Sequence, residues 1–215
     1  MVWTYWTTSG ANNLSASVKD FYGNGVGSPP FYSSAVGPTV QSAASSPTAA
    51  QIFYAKDTTS GSGGDVVTVT YSGSASTSGC VVVEYQGADR NYPLDSVSAG
   101  YGYNAGTLLD SGTAAPANAN LLVFGGGTTD APNLGNVSAG SGFTSIVANF
   151  SSITEQYITT SPNNTLCGVA ECTLSTGSHA ILARWMWPDW LRFLPGPPLE
   201  MVTVCNPRNT TPQQR

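Results

Sequence analysis

Apolar and polar residues alternate with a period of two along much of this chain. In the segment DVVTVTY, Val67, Val69 and Tyr71 fall on one face of an extended chain and the residues between them fall on the other. This is the pattern of a strand that is buried on one side. In CVVVEYQ both faces are mostly apolar. That segment is predicted to be a central strand on which Cys80 and Glu84 share a face.

The same periodicity predicts an all-β protein. Gly, Pro, Ser and Asn interrupt every window that could form a helix before residue 185, and stretches such as SGSGGD, GYGYNAG and SPNNT carry the residues that tight turns require. Without helices to connect parallel strands, the strands are expected to pair antiparallel in a two-sheet β-sandwich. The predicted strands are 51–56, 65–71, 80–86, 120–124, 142–149, 153–158 and 179–185, with fainter signals at 2–7 and 14–19.

The chain is predicted to form one domain over residues 1–186, followed by an appendage. Residues 187–215 are rich in aromatic residues and proline and end in the polar sequence RNTTPQQR, which predicts an irregular C-terminal tail. Such a tail could pack across the sandwich or dock a protein partner, and it could equally be a non-native extension. The sequence leaves these alternatives open.

Composition favours an extracellular or cell-surface protein. Charged residues make up only 9% of the chain, and the formal net charge is -5. A hydroxyl-rich surface of this kind is typical of secreted β proteins, and the scattered basic residues offer no face for nucleic acid. No apolar run is long enough to span a membrane. The start MVWTYWTTSG has no basic or apolar region of a secretion signal, so we expect no signal peptide in this chain.

Five segments together resemble a module of large secreted and cell-surface proteins of environmental bacteria. They are IFYAKDTTSGSGGDVVTVTYSG, CVVVEYQGADRNYPLD, NANLLVFGGG, GSGFTS and SHAILARW, and they span residues 51–184. The resemblance implies a concanavalin-like or jelly-roll sandwich and no particular activity. This chain departs from the module in two places, because the first fifty residues lack the early apolar strand and the tail has no counterpart.

Four cysteines, at positions 80, 167, 172 and 205, allow three disulfide connectivities. Cys167 and Cys172 flank the short segment GVAE, and the spacing favours a disulfide between them that pins a loop. For Cys80, which lies within an apolar run, a free buried thiol is an equal alternative. A zinc site is disfavoured, because the chain has a single histidine and no second cysteine pair.

Carboxylates are densest in EYQGADRNYPLD, which contains Glu84, Asp89 and Asp95. A loop with several oxygens suits calcium, with Asp89 and Asp95 as its expected ligands. The alternative is structural, with the aspartates capping turns and Glu84 in a strand ion pair. A catalytic alternative uses Glu84 and Asp89 as an acid and base pair of a glycosidase. His179, the single histidine, could act with calcium in ester or lactone hydrolysis.

Aromatic side chains in loops supply the last group of candidates. Tyr92, Tyr101 and Tyr103 fall in turn-rich segments, where exposed rings could stack on sugars. The sequence therefore predicts a non-catalytic extracellular module that binds a carbohydrate, another small-molecule ligand or a cell-surface partner and is stabilised by calcium. The alternatives are a small secreted hydrolase and a structural subunit of a surface assembly.

Overall fold

The computed structural model of this chain consists of strands and the turns that join them. Its described residues are 1–11, 13–23, 32–41, 47–56, 58, 65–85, 88–89, 92–95, 97, 99, 111, 122–128 and 138–148, together with the backbone of 86, 152–158, 165–171, 173–174 and 180–184. Within these ranges no residue is helical, and no helix suited to crossing a membrane is found there. The predicted appendage, 187–215, and the partner site proposed for it lie outside them.

The all-β prediction is confirmed for the described part of the chain, in which every pair of neighbouring strands is antiparallel. The strands are Val2–Thr7 (β1), Ala16–Asp20 (β2), Ser33–Gln41 (β3), Thr48–Tyr54 (β4), Val66–Tyr71 (β5), Thr77–Gln86 (β6), Leu122–Thr128 (β7), Thr144–Ala148 (β8), Ser152–Ile158 (β9), Thr165–Glu171 (β10), Thr173–Leu174 (β11) and Ala180–Arg184 (β12).

The described strands form three sheets, in the orders β10-β6-β1-β4-β3, β11-β12-β5-β2 and β7-β9-β8. In the five-stranded sheet β1 lies between β4 and β6, so that Thr4 is opposite Gln51 on one side and Cys80 on the other. The first strand of the chain is therefore an interior strand. Both of its hydrogen-bonding edges are occupied, which is the most protected position in a sheet.

The main core cluster joins the five-stranded and four-stranded sheets. Its buried side chains come from β1, β4 and β6 of the first sheet and from β2 and β5 of the second. Within it Thr4 Oγ1 donates to the Gly79 carbonyl at 2.9 Å and shares a 2.6 Å hydrogen bond with the Tyr71 hydroxyl. The buried polar atoms at this point thus have partners, as a low-dielectric interior requires.

The opposite face of the five-stranded sheet packs against the three-stranded sheet. Trp3, 1% exposed, forms a second cluster with Val81 and Val83, and Phe124 of β7 and Val147 of β8 pack against it. The sequence predicted two sheets, and the third sheet corrects that prediction. The physical reason is that β1 and β6 are apolar on both faces and therefore need a cover on each side.

Glycine in β7 makes this close packing possible. A Cβ atom at position 126 would overlap the indole ring of Trp3. The run FGGGT was predicted to be part of a loop, but it belongs to β7, which continues as far as Thr128. Glycine is accepted inside a strand where another group approaches the backbone closely. The strands β3 and β10 were also missed, since neither has an alternating apolar pattern in SSAVGPTVQ or TLCGVAE.

Candidate functional site

Two aspartates meet where β2 ends and β5 begins. Asp20 is the last residue of β2, and Asp65 directly precedes β5. The Asp65 Oδ1 atom accepts the backbone N–H groups of Val66 at 2.7 Å and Phe21 at 3.2 Å. The Asp65 side chain is also hydrogen-bonded to Asp20, whose Oδ2 atom accepts the Tyr32 hydroxyl at 3.0 Å. Each carboxyl is therefore fixed by partners from neighbouring segments.

A hydrogen bond between two carboxyl groups requires a proton on one of them. Burial, reinforced by the negative charge of Asp20, raises the pKa of Asp65 to about 6, although the two backbone N–H bonds act in the opposite direction. Burial and the charge of Asp20 also raise the pKa of the Tyr32 hydroxyl above its usual range. The two carboxyl groups therefore share one proton in mildly acidic solution and titrate as a pair.

Glu84 belongs to the same end of the sheets. It lies near the end of β6, on the strand face that carries Cys80 and Val82 into the main core cluster. Burial raises the pKa of Glu84 to about 7, the Met1 ammonium group opposes that shift, and the charge of Asp65 adds to it. We call the group formed by Asp20, Asp65 and Glu84 the acidic end.

Exposed aromatic rings directly follow β2 and also lie in the segment after β6. The Phe21 side chain, directly after Asp20, is 77% exposed, and the ring of Tyr22 meets it edge to face with the centroids 5.2 Å apart. Tyr92, in the segment that follows β6, is 85% exposed. Its backbone N–H donates to Asp89 Oδ1 at 2.9 Å, which fixes a turn. We call Phe21, Tyr22 and Tyr92 the aromatic rim.

The carboxylates that the sequence grouped together differ in burial. Glu84 on β6 is half-buried, whereas Asp89 and Asp95 are exposed in the segment that follows. Among the side chains that the structure describes, no three Asp, Glu, His or Cys groups are placed to hold a metal ion. Asp89 accepts a backbone N–H, as the structural alternative predicted, and its role as a catalytic base or calcium ligand stays a prediction.

Several predicted site residues lie outside the described part of the chain. They are His179, Tyr101, Tyr103 and Cys172, while Cys167 has only its backbone described, within β10. Cys80 is buried in the main core cluster and is disulfide-bonded. The alternative of a free thiol at Cys80 is therefore wrong.

Sequence reasoning missed Asp20, Asp65 and Phe21. A signal was present, because one aspartate ends the segment ASVKD and the other begins DVVTVTY. Only the antiparallel pairing of β2 with β5, in which Asp20 lies opposite Val67, brings them together. No property of either segment alone specifies that pairing.

Comparisons with known proteins give no relative for this chain. No protein-family model matches it, no curated protein matches it, and no solved structure matches it. The resemblance to the bacterial surface module therefore rests on the sequence motifs alone. The geometry of the acidic end and the aromatic rim carries the functional argument.

Proposed function

We propose that this chain is an extracellular, non-catalytic module with a jelly-roll-like β-sandwich fold that binds a neutral carbohydrate through the aromatic rim. The observation that supports this function is the exposure of two large rings, Phe21 directly after β2 and Tyr92 in the segment after β6. Flat apolar rings that remain in water offer stacking surfaces for the C–H faces of sugar rings.

The acidic end complements this stacking surface. Carboxylate oxygens accept hydrogen bonds from sugar hydroxyls, and bonds to charged acceptors are stronger than neutral ones. Asp65 is partly exposed next to Phe21, whose backbone it already binds. An aromatic platform with an acceptor beside it is the combination of apolar body and few polar groups that small-ligand sites use.

The negative charge of the protein limits the class of polysaccharide that it can bind. The chain carries a formal net charge of -5, and Phe21 of the rim directly follows Asp20 and is bonded to Asp65. A polyuronate would be repelled, and the repulsion would weaken with added salt. A neutral glucan, xylan or mannan is not repelled in this way. We therefore expect the protein to bind uncharged polysaccharides only.

Affinity electrophoresis tests the proposal. Native gels cast with a soluble β-glucan, a xylan, a mannan or a polygalacturonate should retard the protein only with a neutral polymer. Phe21→Ala and Tyr92→Ala should each weaken the retarding interaction about 2- to 13-fold, from the roughly 0.5–1.5 kcal/mol that an aromatic contact contributes. Val123→Ala removes another partly exposed apolar side chain, on the three-stranded sheet, and should leave binding unchanged.

Two results would defeat the binding proposal. One is the absence of retardation by every neutral polymer, and the other is unchanged retardation in the Phe21→Ala, Tyr92→Ala double variant. Calcium, proposed to bind through Asp89 and Asp95, is tested separately by thermal melting. A bound ion must raise the melting temperature by mass action. An equal melting temperature in millimolar Ca²⁺, in Mg²⁺ and in chelator removes calcium from the proposal.

A small secreted hydrolase is the second candidate, and one observation favours it. The pKa of Asp65 is raised to about 6 and that of Glu84 to about 7. Both carboxyl groups therefore hold a proton closer to neutral pH, as general acids do. Glu84→Gln and Asp65→Asn retain the shape of both side chains. If the protein hydrolyses any member of a panel of glycosides, esters and lactones, and either variant abolishes turnover while its circular dichroism is unchanged, the hydrolase replaces the binding module.

A further inference from the structure

The partner of Cys80 can be inferred from the strand register. β10 runs antiparallel to β6, and its last described residue, Glu171, lies directly opposite Val81. Cys172 follows Glu171 in the sequence, and Cys80 precedes Val81. We propose that Cys80 and Cys172 form a disulfide that joins β6 to the end of β10.

Ladder geometry supports this pairing. Directly opposite residues on antiparallel strands have Cα atoms roughly 4.5 or 5.5 Å apart, depending on the type of pair. Both values fall within the roughly 4.4–6.8 Å that a disulfide spans. Opposite residues also place their side chains on the same face, and that of Cys80 is the face of the main core cluster. Continuing the ladder by one residue thus meets the requirements of the bond.

The same ladder argues against Cys167 as the partner of Cys80. Cys167 lies at the irregularity of β10 where its neighbours Leu166 and Gly168 pair with Tyr85 and Glu84. That position is four to five residues along β6 from Cys80, or about 15 Å at about 3.3 Å per residue. A disulfide requires Cα atoms within about 7 Å of each other.

The pairing of Cys167 with Cys172 meets the same difficulty. β10 is extended from Cys167 to Glu171, a separation of about 13 Å. Cys172 lies one Cα–Cα step of about 3.8 Å beyond Glu171, so it stays at least about 9 Å from Cys167 in any direction. The proposal therefore replaces a local loop clamp with a bond between two strands distant in sequence.

Formation of the bond is a two-electron oxidation. The thiols of Cys80 and Cys172 lose two protons and two electrons as the S–S bond forms. A disulfide oxidant such as oxidised glutathione accepts them, and its own S–S bond is cleaved to two thiols. The exchange proceeds through a mixed disulfide, in which one cysteine is first bonded to the oxidant.

Mapping of the oxidised, full-length protein tests the connectivity. Free thiols are alkylated first, and the chain is then cut with trypsin and a glutamate-specific protease without reduction. Cleavage after Glu171 is the decisive cut, because it separates the two candidate cysteines of this region. The four cysteines then lie in separate fragments, 57–84, 156–171, 172–184 and 201–208.

We expect the fragment 57–84 to be linked to 172–184. A link from 57–84 to 156–171 or to 201–208, or alkylation of Cys80, overturns the proposal. As a second measurement, Cys172→Ser should expose Cys80 to alkylation in the denatured protein, whereas the matched control Cys167→Ser should leave Cys80 protected. Equal labelling of Cys80 in both variants contradicts the pairing, and the wild-type map remains decisive if a variant does not fold.

Discussion

Replacing Gly126 with alanine tests the contact between the three-stranded sheet and the rest of the protein. The added methyl group would overlap the Trp3 indole, and the ring has little room to move. Trp3 is almost completely buried, it contacts the ring of Tyr5 with the centroids 5.2 Å apart, and Val81 and Val83 lie in the same cluster. The methyl group must therefore displace β7 or force the indole from its rotamer.

The expected cost follows from overpacking. Inserting a methyl group into a filled core destabilises a protein by about 1–3 kcal/mol. The gain of about 0.4–1 kcal/mol from restricting the unfolded chain opposes this cost. Because a rigid, buried ring is displaced here, we expect Gly126→Ala to lower the free energy of unfolding by roughly 2 kcal/mol. Urea unfolding followed by far-ultraviolet circular dichroism measures it without relying on tryptophan fluorescence.

A matched control and a double variant identify the cause. Gly10→Ala places its methyl group where nothing lies within 4 Å and should change stability by less than about 0.5 kcal/mol. Trp3→Ala removes the whole ring that the methyl group would meet. The Gly126→Ala, Trp3→Ala double variant should therefore be more stable, by about 1 kcal/mol, than the sum of the two single changes predicts. If Gly126→Ala is as stable as Gly10→Ala, the packing of β7 on Trp3 is refuted.

Three further changes test the core and the acidic end. The raised pKa values of Asp65 and Glu84, about 6 and about 7, mean that the folded state binds these protons more tightly than the unfolded state. These two groups should thus destabilise the folded protein by on the order of 2 kcal/mol, after allowance for solvent screening, as the pH rises from 4 through 6 and 7. The Met1 ammonium group, whose pKa burial lowers to about 6, acts in the opposite direction between pH 6 and 8. Asp65→Asn with Glu84→Gln should remove that contribution of the two carboxyl groups, and the same change of urea midpoint between pH 4.5 and 7.5 in the wild type and in the double variant would contradict the assignment. Reduction of the Cys80 disulfide opens a loop of roughly 90 residues in the proposed connectivity and should cost about 4–5 kcal/mol in denaturant unfolding, whereas an unchanged midpoint would show that the bond does not constrain the unfolded chain. Thr4→Val leaves the buried Tyr71 hydroxyl without its Thr4 hydrogen-bond partner and should cost about 1–3 kcal/mol, so a neutral effect on the urea midpoint would count against that hydrogen bond.

The alternation of apolar and polar residues predicted those strands in which every second residue is apolar. The placement of Val67, Val69 and Tyr71 on one buried face is confirmed, as is the position of β6 inside a sheet. These predictions succeeded because burial on a pleated strand imposes a period of two on the sequence itself. Boundaries differ by a few residues, since ladder pairing extends β4 and β6 beyond their apolar runs.

Features that depend on distant segments could not be predicted in this way. The strand character of Gly126 depends on Trp3, more than a hundred residues earlier. The proximity of Asp20 to Asp65 depends on the pairing of β2 with β5. Glu84 was grouped with Asp89 because they are close in sequence, but alternation along β6 directs Glu84 inward. A short stretch of sequence carries no information about such long-range contacts.

Because β1 is an interior strand at the start of the chain, the protein can be divided into two fragments directly after it. Residues 9–215 would retain β4 and β6 with a vacant hydrogen-bonding groove between them, and a peptide of residues 1–8 carries Trp3 and Trp6 to fill the apolar layers on both sides. The two fragments should reassemble when mixed, as pieces of a protein do when one strand supplies backbone pairing and anchors together. A fluorescent label on the peptide would then report the completion of the fold in real time.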